Sequence, residues 1–264
     1  MRFTKMHGLG NDYIFLNCME AEPADLPGLA RRLSDRHFGI GGDGIICVCP
    51  SGQADFRMRM FNADGSEGAM CGNGIRCFGK YVYERELTKK TRLLIETQAG
   101  NRELKMSVNG KAITEVEVDM GEPLIAELVN LFIFDNRYTA ISVSMGNPHA
   151  VIEVENPGAL DLGTVGPAVE CHSDFPNRVN AEFIRVIDRS TLELRVWERG
   201  SGETLACGTG ACAAVAAMAA VGKLNREAVV RLAGGNLWVR WEEKSGHVLM
   251  TGPAVTVFDG ELAD

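Results

Sequence analysis

Positive charge is what this 264-residue chain is short of: 27 Lys and Arg stand against 35 Asp and Glu, for a formal net charge of −8. Such a field excludes a surface built for nucleic acid or an anionic membrane, so any anionic ligand must be held locally. Also missing are a CxxC pair and any Cys/His spacing of a zinc site, although eight cysteines are present at positions 18, 47, 49, 71, 77, 171, 207 and 212. Spread over this length they make no disulfide framework, so reduced thiols and no metal are expected. The N-terminal MRFTKMHGLGND lacks the apolar core of a signal peptide, and the longest small-apolar run, Ala211 to Val221, is too short to span a bilayer. A cytoplasmic protein with no membrane partner is expected. No low-complexity linker divides the chain, and Asn130 to Arg137 is the nearest thing to a hinge.

What the chain does contain is a repetition. FNADGSEGAMCGNG (Phe61 to Gly74) and WERGSGETLACGTG (Trp197 to Gly210) each set a cysteine before a glycine-rich turn that leads into a helix-like segment. Aligned without a gap, Met58–Gly74 and Leu194–Gly210 share Arg59/Arg195, Glu67/Glu203, Cys71/Cys207, Gly72/Gly208 and Gly74/Gly210. These are five identities in seventeen positions, where about one is expected by chance. The offset of 136 recurs at Gly10-Asn11 and Gly146-Asn147. The halves read as copies of one unit whose polar groups have diverged: Gly44 faces Asn180, Asn62 faces Glu198, Ala63 faces Arg199 and Tyr13 faces His149. A site at a pseudo-two-fold diverges in this way when its ligand is not symmetric.

The length suits about two domains, each able to bury a core. Strand patterns dominate, in DYIFLNC, GIICVC, FRMRMF, ELKMSV, AITEVEV, TLELRVW and NLWVRW, with roughly two helices per half. Ala24 to Arg36 reads as an amphipathic helix through Leu26, Leu29, Ala30 and Leu33. The segment after Cys207 is small and apolar on every side, which calls for a sheet wrapped around it, whereas the one after Cys71 turns polar toward its end. Cys47 and Cys49 alternate in GIICVC, as core residues on one face of a buried strand do.

Two motifs lose their required context. Gly39 to Gly44 matches GxGxxG but runs into a strand-like segment, and Gly74 to Lys80 matches GxxxxGK but is followed by Tyr81 in place of Ser or Thr. The cysteine turns carry more chemistry. A thiol at a helix start feels the positive end of the helix dipole, which is expected to lower its pKa toward neutrality. The free N–H groups at Gly72, Asn73 and Gly74, and at Gly208, Thr209 and Gly210, are aimed donors for a carboxylate. Two sulfurs flanking one carbon would suit inversion by deprotonation and reprotonation without a cofactor. The plain alternative is a pair of buried cysteines capping structural helices.

AMCGNGIRC around Cys71, ERGSGETLACGTGA around Cys207, HGLGNDY, GNPHAV at Gly146 and RVNAEF at Arg178 together resemble the diaminopimelate epimerases over essentially the whole chain. The resemblance implies an α+β fold of two pseudo-symmetric domains, 1–113 plus 254–264 and 114–253, each a closed mixed sheet around a central helix, with the site in the cleft between them. It implies cofactor-independent interconversion of LL- and meso-2,6-diaminopimelate, a step toward lysine and peptidoglycan precursors, in a homodimer whose partner is a small amino-acid substrate. Cys71 and Cys207 would be the two bases, supported by His149 and Glu198. Gly72, Asn73, Gly208 and Thr209 would hold the reacting carboxylate, while Asn11, Asn62, Asn147, Asn180, Glu198 and Arg199 would hold the ammonium groups and the distal centre. Where some members carry a substrate-contacting glutamine this chain has Gly44, and Phe258 stands where some have a tyrosine associated with dimerisation. The rival readings are a related two-cysteine racemase of histidine or glutamate, a thiol redox protein, and a non-catalytic amino-acid binder.

Overall fold

The computed structural model describes residues 1–262. By its internal packing the chain divides into two compact units, Met1–Val118 joined by the segment from Gly252, and Asp119–Thr251.

The first unit contains β1 (Arg2–Gly8), β2 (Asn11–Asn17), α1 (Leu26–Ser34), β3 (Gly44–Cys49), β4 (Phe56–Asn62), β5 (Glu67–Gly68), α2 (Gly72–Glu84), β6 (Arg92–Glu96), β7 (Arg102–Asn109) and β8 (Ala112–Asp119). The second contains β9 (Leu124–Ile133), β10 (Asn136–Ser144), β11 (Pro148–Glu153), α3 (Leu162–Glu170), β12 (Asn180–Asp188), β13 (Thr191–Glu198), β14 (Gly202–Thr204), α4 (Gly208–Ala220), β15 (Glu227–Leu232), β16 (Gly235–Trp241) and β17 (Val248–Gly252). The last strand, β18 (Val255–Glu261), pairs antiparallel with β1.

Hydrogen bonding orders the first sheet β18-β1-β2-β3-β4-β6-β7-β8, with β2/β3 and β4/β6 parallel and β5 a hairpin partner of β4. The second runs β9-β10-β11-β12-β13-β15-β16-β17, with β11/β12 and β13/β15 parallel and β14 paired to β13. The two orders superimpose, and α2 and α4 begin 136 residues apart. Identities found in the repeat have a structural role: Arg59 forks Glu67 across β4/β5 at 2.8 and 3.1 Å, and Arg195 forks Glu203 across β13/β14 at 2.9 and 3.1 Å. A planar guanidinium is suited to that bidentate grip.

Each sheet curls around its long helix. α4 touches β10, β11, β12, β15 and β16, and all its residues from Gly210 to Met218 are buried, as an all-apolar helix requires. α2 touches β1, β2, β3 and β7, and its polar end emerges at Arg85. The expected closure into a barrel is not found, since among the described residues no register joins edge strand β18 to β8 or β9 to β17. Size explains the gap. A closed barrel of about eight strands has room only for side chains, whereas a helix with its side chains is about 10–12 Å across.

Asn130 to Arg137 is not a hinge. Ile133 faces Asn136 across β9/β10, leaving Phe134 and Asp135 as a two-residue hairpin loop with Phe134 at φ 52°, the positive φ that such loops need. The GxGxxG match leads directly into β3, and Lys80 of the GxxxxGK match lies inside α2, paired with Glu84 at 2.5 Å. Cys47 and Cys49 pack with Cys18, Ile45 and α1 in the first core. The helix α1 itself starts where Asp25 accepts the Gly28 N–H at 2.8 Å. No helix among the described residues is long and apolar enough to cross a membrane.

Burial pushes the core thiol Cys77 on α2 up to about 12. The unfolded chain ionises that thiol near its ordinary value while the folded chain keeps it protonated, so stability is fully present below that value and declines as pH rises above it. Between pH 8.5 and 10 the loss from this one group is about 1.5 kcal/mol. The melting temperature is therefore expected to fall over that interval, and Cys77→Ala should flatten the decline while lowering stability at pH 7. A melting temperature independent of pH from 8 to 10 would contradict the burial of these thiols.

Candidate active site

Both cysteines of the repeat end an extended segment and cap a helix. Cys71 precedes α2, and its sulfur accepts the Gly74 N–H at 3.4 Å; Cys207 precedes α4, and its sulfur accepts the Gly210 N–H at 3.3 Å. A thiol at the N-cap satisfies one of the first-turn amides in the way a serine or aspartate oxygen does. The glycines three residues on are needed for space. A Cβ at Gly74 would stand 2.6 Å from Ile46, and one at Gly210 would stand 2.7 Å from the Glu182 carboxylate.

In the first unit Cys71 donates its S–H to Asn11 Oδ1 at 3.1 Å, and the buried Asn73 donates to the same oxygen at 3.4 Å. Asn11 sits on β2 and gives its Nδ2 to Asp43 at 2.7 Å. Asp43 also takes the Asp12 N–H at 3.0 Å and Arg36 at 2.9 Å. The hydroxyl of Tyr13 is hydrogen-bonded to Cys71 and Asn11; burial first, and then the neighbouring Cys71 and Asp43, push it well above the ordinary tyrosine range. Asn62 stands apart from this cluster, at the end of β4, donating to Ser66 at 3.0 Å. It faces Gly44, which in turn faces Tyr13 across β2/β3. A side chain at Gly44 would start 2.1 Å from the Phe61 carbonyl, so backbone packing excludes one there.

The second unit holds a longer chain of contacts. The Cys207 sulfur lies 3.4 Å from Thr209 Oγ1, which accepts from Asn147 Nδ2 at 3.3 Å. Asn147 Oδ1 is 3.0 Å from His149 Nε2, and His149 Nδ1 is 2.7 Å from Glu182 Oε1. His149 and Glu182 are fully buried on the parallel strands β11 and β12, and Glu182 Oε2 has no hydrogen-bond partner. Nearby, Asn180 accepts the Arg199 N–H at 3.0 Å and donates to the Pro148 carbonyl at 2.8 Å. Arg199 is exposed, with Nη1 on the Asn177 carbonyl at 3.1 Å, and Glu198 accepts from Thr204.

The expected lowering of the thiol is not found at Cys207. Burial pushes it well above the ordinary thiol range, and the Glu198 and Glu182 carboxylates push the same way, against the Thr209 and Gly210 hydrogen bonds. Magnitudes account for the outcome. A helix dipole contributes up to about 2 kcal/mol, or roughly 1.5 pK units, whereas full burial shifts a group by up to about 3–5 units. Burial pushes Glu182 up as well, with Glu198 adding to the effect and His149 opposing it.

Two residues of these clusters escape sequence reading. Asp43 hides in the set-aside GIGGDG, and Glu182 sits in the strand-like NAEFIRV, where its only signal is that the offset of 136 pairs it with Ile46. Among the described residues no group of three or more His, Cys, Asp or Glu is arranged to hold a metal ion.

The profile of the diaminopimelate epimerase family matches residues 3–125 and 141–257. The chain belongs to that family. It is 51% identical over 275 residues to the diaminopimelate epimerase of Acetivibrio thermocellus, covering 99% of this chain and 98% of the relative. The diaminopimelate epimerase of Moorella thermoacetica is 50% identical over 276 residues, with 99% of each chain covered. The fold is shared with more distant solved structures. A Bacillus anthracis phenazine biosynthesis protein of the PhzF family superposes with a TM-score of 0.76 at 18% identity, over 100% of this chain and 99% of that one. A probable proline racemase from Agrobacterium radiobacter superposes with a TM-score of 0.76 at 17% identity, over 99% and 92%. The part between the two matched segments of the family profile, residues 126–140, takes in the β9/β10 hairpin.

In substrate-free protein, iodoacetamide is expected to alkylate Cys207 with a midpoint above the ordinary thiol value, and Glu198→Gln should lower that midpoint. Peptide mass spectrometry across a pH series reads both. A midpoint near neutrality would mean that the helix dipole outweighs burial.

Proposed function

We propose that this chain interconverts LL- and meso-2,6-diaminopimelate without a cofactor, with Cys207 and Cys71 as acid and base. The observation that carries the reading is the pair of cysteine-capped helix starts, 136 residues apart, in a member of the diaminopimelate epimerase family. Inversion breaks the Cα–H bond on one face and forms a new one on the other. The Cys207 thiolate takes the α-proton of the LL substrate and the Cys71 S–H delivers its proton to the opposite face, and the roles exchange in reverse.

The N–H groups of Gly72, Asn73, Gly208 and Thr209 would receive the carboxylate as charge builds on it, stabilisation that grows in the transition state. Glu198 would pair with an ammonium group, and Arg199 would fork the distal carboxylate, with Asn11, Asn62, Asn147 and Asn180 supplying donors and acceptors to a zwitterion. The raised Cys207 thiol fits this order of events. An ammonium paired with Glu198 cancels the charge that opposes the thiolate, so with the right substrate bound the Cys207 S–H gives up its proton to solvent water, leaving the base. His149 would support Cys207 through Asn147 and Thr209. A cytoplasmic homodimer completes the reading, with the half-exposed Phe258 on β18, edge-on to Phe3 at 5.9 Å, as part of the contact.

Reduced protein with LL-diaminopimelate in deuterium oxide is expected to show α-proton exchange and inversion by NMR, and none with other L-amino acids. Exchange confined to histidine or glutamate would reassign the substrate, and no exchange anywhere would sink the reading. Cys71→Ser and Cys207→Ser should each lower turnover by about 10²–10⁴-fold. Near-normal turnover in either removes the two-base mechanism. Arg199→Lys should raise KM for diaminopimelate by about tenfold or more through loss of the planar fork.

A further inference from the structure

We infer that Glu182 is a positioning residue for Cys207: with His149 it forms a net-neutral pair that holds one shared proton, and through Asn147 this pair turns the Thr209 hydroxyl proton toward the Cys207 sulfur. The inference rests on the reading of Cys207 as a base, yet its test uses no turnover, so the two fail separately.

The argument begins at the imidazole. Nδ1 meets the Glu182 carboxylate at 2.7 Å, and Nε2 meets the amide oxygen of Asn147 at 3.0 Å. An ionised carboxylate and an amide oxygen only accept, so a neutral imidazole, with one N–H, cannot satisfy both. Either both ring nitrogens carry protons beside a carboxylate, or the carboxyl keeps a proton and donates it to Nδ1 while Nε2–H serves Asn147. Both arrangements sum to zero charge, and in both Nε2 bears hydrogen.

Everything downstream follows from that hydrogen. With Oδ1 engaged, Asn147 turns Nδ2 to Thr209 Oγ1 at 3.3 Å. Thr209 accepts there, which leaves its own proton for the sulfur 3.4 Å away. The same sulfur receives the Gly210 N–H at 3.3 Å, and two donors favour a thiolate over a thiol.

Neutrality matters because of the neighbours. Facing Glu182 are His149 from β11, Cys207 and Gly210 from α4, and Glu198 from β13. Two unbalanced carboxylates beside one buried sulfur would both oppose its ionisation; sharing a proton within the dyad leaves only Glu198, the one a substrate ammonium can cancel. A lone ionised Glu182 would also leave Oε2 as a buried unpartnered charge. Gly210, lacking a Cβ, is what admits the carboxyl to this position.

Two measurements test the inference. In wild-type protein labelled with [15N]histidine, His149 Nε2 is expected to carry hydrogen at pH 7, as its contact with the Asn147 oxygen requires, and an Nε2 without hydrogen overturns the assignment. In Glu182→Gln with the amide oxygen on Nδ1–H, Nε2 becomes an acceptor, Asn147 turns over and the Thr209 proton leaves the sulfur; the [15N]histidine signals of the variant read whether Nε2 has lost its hydrogen. Iodoacetamide labelling of Cys207 at pH 8 should then slow by about tenfold, a one-unit rise in its midpoint, with Cys71 unchanged. If Glu182 acted only as a nearby charge, its removal would speed the labelling, the opposite sign. Thr209→Val should reproduce the shift, and Glu182→Gln should add nothing in that background; additive effects, or an unchanged rate in Glu182→Gln whose Nε2 has lost its hydrogen, overturn the inference.

Discussion

A helix buried on every side must still find partners for the N–H groups of its first turn, and in both units a cysteine sulfur takes one of them. Much else is arranged around that requirement. A sheet curled about the helix supplies the apolar cover, and glycines three residues past each cysteine let the neighbouring strand come close.

Burial has a second consequence, which sets the sign of the electrostatics. The helix dipole alone would leave an exposed N-cap thiol partly ionised near neutral pH, reactive toward any electrophile. Enclosed beside two carboxylates, Cys207 is instead held as a thiol. The same arrangement keeps that sulfur unreactive toward chance electrophiles at neutral pH. The energetic lever is ample, since loss of one buried unit charge at close range outweighs the dipole by any reasonable effective dielectric.

Legibility followed the range of the interactions. β3 and β4 are evident in GIICVC and FRMRMF because burial on both faces or on alternate residues leaves a local signature, and the repeat at 136 located both N-caps. β9 was obscured because Leu124, Leu128 and Phe132 point outward, breaking the alternation that marks a strand with one wet face. α3 carries Gly163, Gly166 and Pro167, a composition with poor helix propensity that is rescued by packing against β9, β12, β13 and β14. Barrel closure, the Cys207 shift and the Glu182–His149 contact are set by residues far apart in the chain or by the summed size of elements. No window of sequence contains them.

The divergence between the copies then acquires a physical reading. Asn11 and Asn147 occupy equivalent places, yet their amides are turned in opposite senses by what holds their far ends. Asp43 only accepts, so Asn11 gives it Nδ2 and presents oxygen to the Cys71 S–H. His149 Nε2–H takes the oxygen of Asn147, so its Nδ2 goes to Thr209, whose proton is left for the Cys207 sulfur. One scaffold therefore treats its sulfur as a hydrogen-bond donor and the other as an acceptor. Tyr13/His149, Asp43/Val179, Ile46/Glu182 and Asn73/Thr209 differ between the copies and break the symmetry, while the Gly72/Gly208 and Gly74/Gly210 positions needed to build the turns stay the same.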